Sequence, residues 1–146
     1  MSNTNALTNQ SSLILASSST SREAILRRSQ LSFSIIPSQL NEAAIKQQLK
    51  GQAPSDIACE LALQKAKRIS AKHPQAIVIG ADQLCEHQGK IFDKPGNAKT
   101  AFTQLKRLSG HTHQLHTAVC LAKDSQIIWQ YLDCAELTMR PLSDDE

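Results

Sequence analysis

Aromatic residues are scarce in this chain: one Trp, one Tyr and three Phe make up 3% of its 146 residues. A core must therefore be assembled from Leu, Ile, Val and Ala. No apolar run approaches the length of a membrane-spanning helix, and no signal-peptide pattern opens the chain. The four cysteines, Cys59, Cys85, Cys120 and Cys134, contain no C-x-x-C pair, which argues against a zinc site. These absences predict a reducing, cytoplasmic setting in which the thiols stay free and act as small buried hydrophobes. A continuous basic stripe interleaved with aromatics is missing too, so the net charge of +3 does not point to nucleic acid. A small anion held by a few placed cations fits that charge equally well.

What is present reads as one α/β domain. Residues 1–12 are polar and rich in Asn, Ser and Thr, and are expected to be a disordered lead-in. Leu13-Ile14-Leu15-Ala16 has the continuous apolar character of a buried strand, and Ser17 to Ser21 can cap a helix running to Arg28. A second strand is predicted over Leu31 to Ile36 and a short helix or lid over Asn41 to Lys50. Pro54-Ser55-Asp56 opens a longer helix to about Lys72. Ala76 to Gly80 reads as another buried strand that delivers Asp82 at its carboxyl end. A hairpin is expected over Leu84 to Phe92, a helix from Asn97 to Leu108, and two strands over His113 to Ala122 and Ile127 to Arg140. Pro141 to Glu146 resembles the cap and first turn of a further helix.

Several side chains in this frame can carry chemistry. A strand feeding a helix through Ser17 and Ser19 leaves free N–H groups that favour an anion, and Arg22 can clamp one bidentately. A plain N-cap with a surface arginine would look the same. Lys65 lies on one helical row with Ile57, Leu61 and Ile69, so its ammonium must snorkel, pair or meet an anion. Asp82, at a strand end with no helix behind it to cap, can bind a divalent metal or orient a water. Lys94 is held extended by Pro95. Glu42 is a carboxylate in a polar segment, by itself an ordinary solvated one. His111, His113 and His116 lack a further ligand at suitable spacing and read as structural.

Taken in order, Leu13 to Ser19 with Arg22, Ala62-Leu63-Gln64-Lys65-Ala66, Ile79-Gly80-Ala81-Asp82, Gly89 to Pro95, Leu108 to His113 and Thr117-Ala118-Val119 resemble the Maf (septum-formation-inhibitor-like) family. The resemblance implies a Maf/Ham1-like mixed twisted sheet flanked by helices, over residues 13–146. It implies a metal-dependent enzyme that hydrolyses nucleoside triphosphates to monophosphate and pyrophosphate, with Mg²⁺ or Mn²⁺ as cofactor. Asp82 matches the catalytic acidic residue, and Ser17, Ser19, Arg22, Lys65 and Lys94 match positions associated with the triphosphate. Glu42 matches an acidic position that joins Asp82 as a metal ligand. Ser21 and Gln83 match specificity positions. Asp82-Gln83 resembles the branch that cleaves 7-methyl-GTP, whereas the dTTP/UTP branch usually has Thr after the Asp; Ser21 does not resemble the bulky residue of the former.

The chain departs from the family pattern at Thr20, where Pro is usual, at Glu23, where a second basic residue is usual, and at Asn41, where Asp is common. The family's C-terminal Lys-Ala-Gly and Gly-Leu-Pro stretches have no counterpart, so a domain with its C-terminal part missing is expected. The alternative is a nucleotide-binding module whose catalysis is impaired by that loss. The expected partner is a nucleoside triphosphate, with neither nucleic acid nor membrane, and a homodimer is left open.

Overall fold

The computed structural model describes residues 12–146. The lead-in expected over residues 1–12 therefore lies, apart from Ser12, outside the described residues. The described chain runs β1 (Leu13–Leu15), α1 (Thr20–Arg28), β2 (Ser34–Ile35), α2 (Glu42–Gln48), α3 (Pro54–Lys72), β3 (Ile77–His87), β4 (Lys90–Phe92), α4 (Ala98–Leu108), β5 (Thr112–Lys123) and β6 (Gln126–Thr138). The strands form one mixed sheet in the order β2-β1-β3-β5-β6, with β4 also paired to β3. β1 is parallel to both β2 and β3, while β3, β5 and β6 are successively antiparallel.

Local chemistry accounts for most boundaries. Pro54 stands in the first turn of α3, where a missing N–H costs nothing. Asn41 and Asn97 cap α2 and α4 by accepting from the N–H groups of Ala44 and Thr100 at 3.1 and 2.8 Å. Gln88 and Gly89 both have positive φ, as the two-residue β3–β4 turn requires, and Asp124 and Ser125 do the same between β5 and β6.

α3 lies across one face of the sheet, and its row Ile57, Ala58, Leu61, Ala62, Ala66 and Ile69 packs on Val78, Leu84, Ala118, Cys120 and Ala122. The helix comes unusually close at Gly80. A Cβ there would stand 2.2 Å from the carbonyl oxygen of Ala62 and 2.8 Å from the Cβ of Ala66. Only glycine fits, and the backbone of α3 rests directly on the strand.

Four expectations need correction. Asp82 does not end its strand: the apolar run to Gly80 and the first arm of the hairpin are one eleven-residue strand, because β5 pairs with it continuously from Val78 to Glu86. The second strand is only two residues long, since β1, its partner, offers just Ile14 and Leu15 for pairing. Cys134 is exposed, unlike buried Cys120, because β6 is an edge strand that is exposed from Ile128 onward, with only Ile127 packed against the core. Pro141 to Glu146 forms a turn, with the Glu146 N–H donating to the Ser143 carbonyl at 3.2 Å and the Glu146 carboxylate accepting from the Ser143 N–H at 3.1 Å.

Candidate active site

Where β1 ends, the chain turns at Ala16 and Ser17 into α1, and β3 runs on past it. Two consequences follow. The α1 N-terminus opens beside the β1 end, and the β3 residues after Ile79 lose their neighbour on that side. The cluster of charged groups is built there.

On the α1 side, Ser17 is buried and its hydroxyl oxygen accepts from the Ser19 N–H at 3.1 Å and from Arg22 Nη1 at 3.3 Å. Ser19 caps α1, accepting from the Arg22 N–H at 3.3 Å. These bonds fix Arg22 over the helix start, where the helix dipole already favours negative charge. Ser21 is exposed on α1.

On the α3 side, Lys65 is 5% exposed, with its ammonium 2.9 Å from Asp82 Oδ1, 2.7 Å from Glu42 Oε1 and 3.4 Å from the Ala81 carbonyl oxygen. The lysine on the apolar row thus pairs rather than snorkels. Asp82 is equally buried, and its second oxygen, Oδ2, has no hydrogen-bond partner. Glu42 begins α2 and its side chain is 43% exposed. Burial pushes the Asp82 carboxyl above its usual range, and Glu42 adds to this. Lys65, by hydrogen bond and charge, and Arg22, by charge, oppose the shift without reversing it. Arg22 is therefore close enough for Asp82 to feel its charge.

Lys94 stands apart. It lines a groove with Lys90, Thr100, Gln104 and Arg107, and makes no ion pair or hydrogen bond with Asp82, Lys65 or Glu42. Its loop is tied to the cluster indirectly. Asp93 accepts from Lys46 Nζ at 2.6 Å, and Lys46 lies one helical turn after Glu42 on α2. Gln104 Nε2 donates to the Asp93 carbonyl at 2.8 Å, joining α4 to the same point. Sequence reasoning missed Lys46, Asp93, Lys90 and Arg107. The i, i+4 spacing of Glu42 and Lys46 was the one available signal, and it does not identify the distant partner. Gln83 is exposed, and its carboxamide donates to the Thr117 hydroxyl across the strand pair at 2.8 Å.

The larger surface hollow lies elsewhere, lined by Glu86, His87, Gln88, Thr112, Gln114 and Glu136. It has two carboxylates and no lysine or arginine, the wrong balance for a polyanion. Of the three histidines, His113 and His116 are buried, and His116 Nε2 lies 3.3 Å from Glu86 Oε2. Burial holds the Cys120 thiol up at about 11 and raises those of Cys59 and Cys85, so these three stay protonated and unreactive near neutral pH.

The donor set suits a hard cation. Oδ2 of Asp82 is an orphaned buried acceptor, and the Asp82 and Glu42 carboxylates reach the same ammonium. No group of three or more His, Cys, Asp or Glu side chains among the described residues is arranged to hold a metal. Two carboxylates completed by phosphate oxygens and water is the usual arrangement for Mg²⁺.

The architecture is that of a Ham1-like α/β protein: a solved HAM1 protein from Coxiella burnetii superposes with a TM-score of 0.51 at 13% identity, covering 86% of this chain and 70% of that one. Residues 12–146 match the family described as Maf-like protein, and the chain belongs to it. Among its relatives are a 7-methyl-GTP pyrophosphatase of Rhizobium etli, 40% identical over 91% of this chain and 68% of its own length, and a nucleoside triphosphate pyrophosphatase of Nitrobacter hamburgensis, 42% identical over 91% and 66%. The chain thus spans about two thirds of the length of these relatives.

Proposed function

We propose that this chain hydrolyses nucleoside triphosphates to monophosphate and pyrophosphate, with a divalent metal and Asp82 at the reacting phosphorus. The reading is carried by the buried Asp82–Lys65–Glu42 group standing next to the Ser17–Arg22 helix start. It is supported by the printed names of the family relatives. No helix of the described residues is long and apolar enough to cross a membrane. We place the activity in the cytoplasm on the free thiols alone.

A triphosphate is a dense anion, and its charge must be neutralised before a nucleophile approaches. The α1 N-terminus, the Ser17 and Ser19 hydroxyls and Arg22 offer donors to the phosphates. Lys65 exchanges the Glu42 carboxylate for a phosphate oxygen when the substrate arrives. Asp82 and Glu42 would hold Mg²⁺ or Mn²⁺, which supplies Lewis-acid polarisation of the phosphoryl oxygens. Asp82 orients the attacking water and accepts its proton. Lys94 reaches the departing pyrophosphate from the loop. Gln83 and Ser21 stand at the base end, and the Asp82-Gln83 pair inclines the preference toward a guanine or 7-methylguanine nucleotide.

The test is a panel of nucleoside triphosphates, including 7-methyl-GTP, with Mg²⁺ or Mn²⁺, scored for both products. Pyrophosphate and monophosphate in equal amounts are expected. Release of orthophosphate, or saturable binding without any product, would reject the assignment and leave a nucleotide-binding module.

A further inference from the structure

We propose that Cys134 is a peroxide-reactive thiol, served by His116 and Glu86 in a row that crosses three neighbouring strands on one face of the sheet. Burial keeps Cys59, Cys85 and Cys120 protonated, whereas Cys134 is exposed on β6. His116 stands directly opposite it on β5. His116 in turn opposes Leu84 on β3, two residues before Glu86.

The ladder fixes how near the first two lie. The Ile79 carbonyl accepts from the Ala16 N–H, so odd-numbered β3 residues bond toward β1 and even-numbered ones toward β5. β3 pairs even with even, so even β5 residues bond back to β3 and odd ones bond to β6. His116 and Cys134 are therefore a non-hydrogen-bonded pair, the kind whose side chains come closest, with Cβ atoms about 4.5–5.5 Å apart. A thiol and an imidazole can touch across that gap.

The ring is oriented from its other side. His116 Nε2 lies 3.3 Å from Glu86 Oε2, and Glu86 is itself held by the Gly89 N–H, which donates to Oε1 at 2.6 Å. A carboxylate only accepts, so Nε2 carries hydrogen and Nδ1 keeps its lone pair. The two nitrogens point to nearly opposite sides of an imidazole; with Nε2 turned to β3, Nδ1 turns toward β6. His116 is 8% exposed, and Nδ1 has no hydrogen-bond partner. An orphaned buried acceptor costs free energy, and the Cys134 thiol meets it by turning about one bond. The order thiol, imidazole, carboxylate is that of an activated nucleophile.

The surroundings select the electrophile. Glu86, Gln114 and Glu136 line the adjoining hollow, and two carboxylates repel anionic acyl or phosphoryl groups. A small neutral oxidant, hydrogen peroxide, is admitted. His116 Nδ1 takes the thiol proton, and the sulfur attacks one peroxide oxygen. An S–O bond forms as the O–O bond breaks, and the departing hydroxide takes the proton from His116 and leaves as water. Sulfur is oxidised to a sulfenic acid and the peroxide is reduced. Cys120, on the same face, pairs with Gln130, about 13 Å along the strand from Cys134. That is too far for a disulfide, so an outside thiol must restore the group.

The unmodified chain gives the first test. At pH 7, iodoacetamide should alkylate Cys134 in the folded protein at least tenfold faster than in the urea-unfolded chain. An equal or slower rate overturns the proposal, because exposure alone gives no acceleration. Hydrogen peroxide with dimedone as trap, followed by peptide mapping, should then mark Cys134 and none of the other three cysteines. Marking spread over all four would overturn it as well. His116→Asn should slow both reactions at least tenfold. Glu86→Gln, which keeps an acceptor for the Gly89 N–H but loses the charge, should slow them several-fold. An unchanged rate in either variant, with cooperative urea unfolding retained, overturns the row. If His116→Asn does not fold, the folded-against-unfolded comparison decides.

Discussion

The two halves of the site are fixed by different means. Arg22, Lys65, Asp82 and Glu42 stand on or beside regular elements, and each is held by a hydrogen bond or ion pair to another member or to Ser17 or Ser19. Lys94 stands on a loop between a three-residue strand and a helix of which only Leu108 is buried. The first half is preorganised, and the second must be positioned by its ties to Asp93. The comparison suggests that chemistry belongs to the fixed half and that the loop half adjusts to the substrate.

Four variants or conditions probe that division. Asp82→Asn should lower kcat on the order of 10³-fold, the range expected for losing a general base, while the protein still unfolds cooperatively in urea. Near-normal turnover would remove Asp82 from the reaction. Gly80→Ala drives a methyl into the α3 backbone and should cost about 1–3 kcal/mol, read from the urea midpoint, because neither strand nor helix can yield cheaply. An unchanged midpoint would show that the contact is looser than the structure gives. Lys94→Ala should raise KM several-fold with kcat nearly unchanged, the pattern of lost uniform binding. An equal fall in kcat would move Lys94 into the fixed half.

The smallest effect is on pH dependence in metal-free protein. The Asp82 pKa is raised in the fold above its ordinary value of 3.8, so between those values the native state holds a proton that the unfolded chain has released. Stability then falls as pH rises through that window, and the cost of the buried carboxylate is complete above it. Relative to Asp82→Asn, the unmodified chain should gain stability as pH is lowered toward 3.8. A widening deficit on acidification would mean that Lys65 outweighs burial.

Much of this was legible in the sequence, for physical reasons. α3 was readable from Pro54 to Lys72 because a proline at its start and an unbroken helical period leave little freedom. The same period put Lys65 on the buried row. The Ser17–Arg22 turn and the β3–β4 hairpin were readable from local chemistry as well. What was illegible depends on distance along the chain. Local pattern puts Asp82 at a strand end, since the continuation to Glu86 is imposed by β5, about thirty residues later. The Lys46–Asp93 tie joins segments 47 residues apart, and no local pattern encodes it.

Gly80 also sets a distance. Because the α3 backbone touches β3 there, the helix–sheet separation is gauged by main-chain atoms and not by the sizes of the side chains packed between them. Lys65 is borne by that helix and Asp82 by that strand, two residues on. Core substitutions elsewhere on α3 can therefore drift in volume while the ammonium-to-carboxylate span stays calibrated, much as a shim keeps a bearing true while the housing wears.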